Sequence, residues 1–203
     1  MIHLKYYKRA KIMKIYSLLN PEKEYLKGKK AFIFDMDGTL IDSMKYWRLT
    51  AGDDMSKYAS HIDYMFEKYN TVIEPKSNAL KFLTLLHENA VPVAIASDTP
   101  RQLAEGFFKR HKDFDSVLDC YVGSDDVGTY KHLSSEIFLL AAQKLGVPPE
   151  ECVVFEDNLT SVYSAVNAGM SVVGVFDGEN AENEDEIREV CVDYIFDLGE
   201  MLK

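Results

Sequence analysis

Asp35 and Asp37, separated by one residue, stand directly after the apolar run Ala31-Phe32-Ile33-Phe34. In an extended chain residues i and i+2 share a face, so the two carboxylates can point the same way. Like charges that close disturb each other's ionisation unless a cation sits between them. The pair is therefore either a solvated loop at a strand end or part of a metal site. Three further positions have the same character. Ser97 closes the apolar run 91–97, Lys131 follows the run 118–124, and Glu156 and Asp157 end the run 152–157.

These groups can act together only if secondary structure gathers them. The runs at 31–34, 91–97, 118–124, 152–157, 171–177 and 192–197 have the length of strands covered on both faces. Helical patterns separate them: 76–89, then "TPRQLAEGFFKR" after Ser97, then 134–146, which reads as a helix opening on a capping box and closing at Gly146. Upstream, "NPEKEYLKG" (20–28) reads as a cap and first turn. Alternating strands and helices predict an α/β, Rossmann-like doubly wound parallel sheet, whose ligands bind beyond the carboxyl ends of its strands. Four carboxylates, one hydroxyl and one ammonium then share one edge. Between the first two strands, Met44, Trp47, Ala51, Met55, Tyr58, Ile62, Met65 and Tyr69 recur in steps of three and four. That is an amphipathic helical stripe, which Gly52 would divide in two.

At these residues the chain resembles the haloacid dehalogenase superfamily. "DMDGTLIDS" resembles its first motif and "VAIASD" its second; Lys131 in "YKHLSSEIF" resembles its third-motif lysine and "VVFEDN" its acidic fourth. "LAAQKLGVPPEECVVFEDN" followed by "AVNAGM" is similar to the β-phosphoglucomutase-like and phosphoglycolate-phosphatase-like branch. The second aspartate marks the phosphoryl-transfer members, and Asp37 is present. The resemblance implies a Mg²⁺-dependent phosphatase acting on a small phosphorylated metabolite. It makes Asp35 the nucleophile, Asp37 the acid and base, and Ser97 and Lys131 their catalytic partners. Met36, Asp37, Ser97, Asp98 and Lys131 would line the phosphate site beside Asp35. Metal ligands would come from Asp35, the Asp37 carbonyl, Glu156 and Asp157.

The chain also departs from that pattern. Tyr130-Lys131-His132 stands where relatives often have Gly-Lys-Pro, with one extra residue before "EIF"; Asp98 stands where Asn or a small residue is common. The expected division is a basic N-terminal extension over 1–30, a catalytic core over 31–43 and 75–203, and a reduced helical cap over 44–74. Trp47 occupies the place of the cap histidine of the mutases, which counts against a sugar-phosphate mutase, the alternative enzyme. A weakly catalytic binding module on the same fold is the alternative of another class. So small a cap must bury its stripe on the core or against a second chain, so a homodimer through the caps is a further expectation.

Composition narrows the setting. A net charge of −10 argues against nucleic acid as a partner. The first 30 residues hold nine Lys or Arg and two Glu, against 14 basic and 31 acidic residues in the rest. No apolar run is long enough to span a membrane. Three scattered cysteines without a CxxC pair suit a reducing compartment, so a cytoplasmic location is expected.

Overall fold

Six strands form one parallel sheet in the computed structural model, which describes residues 18–49 and 54–203. They are β1 (Ala31–Phe34), β2 (Val93–Ser97), β3 (Cys120–Gly123), β4 (Cys152–Glu156), β5 (Ser171–Val175) and β6 (Asp193–Ile195), in the order β3-β2-β1-β4-β5-β6. The connections carry α1 (Met44–Trp47), α2 (His61–Thr71), α3 (Ala79–Glu88), α4 (Arg101–Arg110), α5 (Lys112–Ser116), α6 (Ser124–Val127), α7 (Glu136–Leu145), α8 (Leu159–Asn167) and α9 (Glu184–Val190). The strand order reverses between β1 and β4, which pair from Ala31↔Cys152 to Phe34↔Phe155. A crevice opens where connections leave such a pair in opposite directions.

Side-chain alternation builds two cores. Phe32 and Phe34 meet Phe82 of α3 and Phe155 of β4, with Phe34 and Phe155 stacked at 4.8 Å between ring centroids. Ala31 and Ile33 face the other way, into Ile137, Phe138 and Ala141 of α7. Each large side chain buried this way stabilises the sheet by ~1.5–3 kcal/mol, which makes the pair β1/β4 a firm base for side chains at its end.

The stripe from Met44 to Tyr69 does not form one helix. It contains α1, a 3₁₀ turn at Met55–Lys57, and α2; Ala51 and Gly52 lie outside the described residues. Met65 and Tyr69 of α2 are fully buried in the larger core of the same chain. Gly106 of α4 allows this, because a Cβ there would sit 2.7 Å from Asn70 Nδ2. Arg110 of α4 donates to the carbonyls of Tyr69 and Ile73 and pairs with Glu74. Met65 and Tyr69 thus find cover inside one chain, while Ile62 of the same stripe stays exposed.

Two other expectations change. The first 17 residues lie outside the described residues, yet 19–26 belong to the domain: Leu19 bridges Leu202, Leu19 and Leu26 are buried, and Lys23 pairs with Asp193 at 2.6 Å. The boundary expected at residue 30 is therefore not an edge of the fold. The head of α7 has no capping box. Ser134 Oγ accepts from Glu136 N–H, while Ser135 Oγ donates to the Ser164 carbonyl. Gly146 does end the helix, at φ +67°.

Candidate active site

Asp35 continues β1, its N–H donating to the Phe155 carbonyl at 2.9 Å. The chain then turns tightly, with Leu40 and Ile41 N–H both donating to the Met36 carbonyl. Gly38, at φ +86°, makes the turn possible, and a Cβ there would lie 2.4 Å from Asp157 Oδ2. Only glycine lets the turn after β1 approach the acid after β4 so closely. Asn158 then starts α8 by accepting from Thr160 and Ser161 N–H, which fixes the chain beyond Glu156 and Asp157.

Asp35, Lys131, Glu156 and Asp157 are all buried. Lys131 Nζ donates to Asp35 Oδ1 and, at 2.9 Å, to Glu156 Oε2. Burial and the Glu156 charge push Asp35 well above the ordinary carboxylate range, with Lys131 opposing. Burial likewise pushes Glu156 up to about 7 against Lys131, and burial and Asp177 push Asp157 upward. For Lys131 burial acts against the charge, but Asp35 and Glu156 outweigh it and raise the ammonium. Oxygens of Asp35, Glu156 and Asp157 lie within 4.8 Å of one another. Three buried carboxylates against one ammonium leave surplus negative charge in an all-oxygen donor set. That set fits a hard divalent cation such as Mg²⁺.

The remaining sequence candidates fall around this centre. Ser97 is buried at the end of β2, its Oγ accepting from Thr99 N–H. Asp98 turns toward the lysine loop, its Oδ1 accepting from Lys131 N–H at 2.8 Å. An acid uncommon at that place thus anchors the segment carrying the lysine. Met36 is buried within the turn. Ser97, Asp98 and the charged centre, but not Met36, face a cavity of about 590 Å³ whose wall also includes Met44, Trp47, Ile62, Tyr130 and His132.

Asp37 has a different shell. Its Oδ1 accepts from Ser43 Oγ at 2.5 Å, from Trp47 Nε1 at 3.2 Å and from Tyr69 OH; its Oδ2 accepts from Thr99 Oγ1. Burial and the Asp37 charge push the Tyr69 phenol well above its ordinary value, so it remains a donor. Reading the sequence missed Thr99 and the polar use of Trp47 and Tyr69. It also missed Thr39 and Asn180, which donate to the two oxygens of Asp157, and Lys76, which donates to the Gly38 carbonyl and pairs with Asp177 at 2.8 Å. Thr39, Thr99 and Asn180 had one signal, their place beyond the carboxyl ends of β1, β2 and β5.

Known proteins resemble this chain in sequence and fold. A bifunctional riboflavin kinase/FMN phosphatase of Arabidopsis thaliana is 31% identical over 121 residues, 60% of this chain and 32% of that protein. The chain thus spans about a third of that relative. A fructose-1-phosphate phosphatase of Escherichia coli is 27% identical over 179 residues, 70% of this chain and 94% of the relative. Among solved structures, a haloacid dehalogenase-like hydrolase from Bacteroides fragilis superposes with a TM-score of 0.69 at 22% identity, over 85% of this chain and 99% of that one. The family model for haloacid dehalogenase-like hydrolases matches residues 50–169, more than half of the chain, and begins beyond Asp35 and Asp37. With that match running from the cap through the acidic end of β4, the chain belongs to the haloacid dehalogenase-like hydrolase family.

Proposed function

We propose that this chain is a Mg²⁺-dependent phosphatase that hydrolyses a small phosphate monoester through an aspartyl-phosphate on Asp35. The observation that carries this reading is the buried Asp35 carboxylate, bonded to Lys131 and set beside Glu156 and Asp157, with Asp37 facing the same cavity. Asp35, Glu156, Asp157 and the Asp37 carbonyl would hold Mg²⁺, which when bound screens the substrate's negative charge. Asp35 forms a bond to phosphorus as the bond to the leaving oxygen breaks. Asp37 gives that oxygen a proton, then takes one from the water that attacks the phosphoenzyme and frees Asp35. Ser97 and the backbone amides of Met36 and Asp37 hold phosphoryl oxygens, and Lys131 orients Asp35.

Two observations bear on the substrate. Among the described residues, the cavity wall has Lys131, already bonded to two carboxylates, and His132 as its basic groups. A second anionic group on the substrate has little to meet, which favours an uncharged leaving group and disfavours bisphosphate chemistry of a mutase. The sugar phosphate named for the Escherichia coli relative has such a leaving group. The three cysteines are free, which supports a reducing, cytoplasmic setting. Among the described residues, no helix is long and apolar enough to cross a membrane.

The test is hydrolysis of sugar and glycerol phosphates with Mg²⁺ and with a chelator. Phosphate release that needs the metal and disappears in Asp35→Asn supports the reading. Release that survives in Asp35→Asn overturns it.

A further inference from the structure

The four side-chain donors on Asp37 are unevenly divided between its oxygens. Ser43, Trp47 and Tyr69 converge on Oδ1, leaving Oδ2 with one, Thr99. Trp47 Nε1 lies 3.3 Å from Tyr69 OH as well, so one N–H is shared between the phenol and the carboxylate. The Trp47 ring stands edge-on to Tyr69, at 6.4 Å and 71°. Tyr69 itself cannot drift. It is fully buried in α2, and the close Asn70–Gly106 contact seats that helix on α4. A carboxyl group gripped on one oxygen by three donors, one of them fixed in the buried face of α2, has one orientation. A proton it carries must then sit on Oδ2.

We propose that Tyr69, bridged by Trp47, is a positioning residue for Asp37: it fixes the carboxyl so that Oδ2 presents its proton to the leaving oxygen. The inference rests on the phosphatase reading above. It gives the cap segment a part in proton transfer, separate from any contact with the substrate. A plain structural role for the Tyr69 hydroxyl would affect all substrates alike. A positioning role affects only those whose leaving oxygen needs a proton.

The experiment compares kcat/KM for 4-nitrophenyl phosphate, whose phenolate leaves unprotonated, with glycerol 1-phosphate, whose alkoxide must be protonated. Tyr69→Phe is expected to lower turnover of the glycerol ester about tenfold or more and that of the aryl ester less than about threefold. Trp47→Phe, at a half-buried position, should show the same pattern more weakly and serves if Tyr69→Phe does not fold. In an Asp37→Asn background, Tyr69→Phe should leave the ratio of the two esters unmoved. Equal losses on both esters, or none on either, overturn the inference while leaving the phosphatase reading intact. Wild-type protein that hydrolyses neither ester overturns both.

Discussion

Asp35 and Asp37 leave the same strand two residues apart, yet the chain surrounds them in opposite ways. Asp35 lies among charges: Lys131 bonded to it, Glu156 and Asp157 beside it, all from the carboxyl edge of the sheet. Asp37 lies among neutral donors, three of them from residues 43–69 and one from the loop after β2. A charged shell suits a group that must face an anionic substrate while a cation is near. A neutral shell of fixed dipoles suits a group whose charge changes during the reaction. The sheet thus supplies the nucleophile's environment, and the insertion supplies two of the acid's four donors, Trp47 and Tyr69.

Separating the two aspartates by substitution should give the largest effect. Asp35→Asn is expected to lower turnover by about a thousandfold or more while the protein still folds. Asp37→Asn should instead keep a burst of phosphoenzyme with an aryl phosphate and stall before release. Rapid-quench measurement distinguishes them, and identical behaviour of the two variants would erase the contrast. Next in size is Lys131→Ala. Removing the one ammonium from beside two buried carboxylates should destabilise the protein by about 3–5 kcal/mol in chelator, read by denaturant unfolding. A loss below about 1 kcal/mol would mean that the charged shell does not depend on its cation.

Protonation sharpens the same contrast. Glu156, with an ordinary value of 4.5, is pushed up to about 7, and Asp35 and Asp157 are raised as well. Between about 4.5 and about 7 the folded chain therefore holds protons that the unfolded chain has released. Metal-free stability contributed by these groups is fully present below that window and falls as pH rises through it. A divalent cation binds the deprotonated carboxylates, so the increase in Tm on adding Mg²⁺ should be larger at pH 7 than at pH 5, values taken to bracket about 6. Equal increments at both would contradict the sign. The smallest effect is expected at Asp98. Asp98→Asn keeps an acceptor for Lys131 N–H and should behave nearly as wild type, while Asp98→Ala should cost about 1 kcal/mol and lower kcat.

The charged shell was the legible one. Strand ends can be read from apolar runs, and the sheet rule then places Asp35, Ser97, Glu156 and Asp157 on one edge without knowledge of contacts. Lys131 was harder, because its loop length departs from the family's, and the Asp98 hydrogen bond that holds it is invisible in sequence. The neutral shell was not legible. Periodicity said that Tyr69 and Trp47 face inward, but it cannot say what a hydroxyl or an indole N–H meets 32 or 10 residues away. The stripe from Met44 to Tyr69 departs from two helices divided at Gly52 for a related reason, holding also a 3₁₀ turn at Met55–Lys57. Steps of three and four persisted across a segment that turns to wrap the core.

The seam between α2 and α4 has a consequence for traffic. To swing outward, α2 would have to bring Met65 and Tyr69 into water and strip Arg110 from the carbonyls of Tyr69 and Ile73. Exposing the two side chains alone would cost about 1.5–3 kcal/mol each. The segment therefore acts as a bracket, not a door. The cavity it walls includes Ile62 and Tyr130, both exposed, so exchange of substrate and phosphate is expected to depend on what fits there and not on the frequency of a hinge in α2.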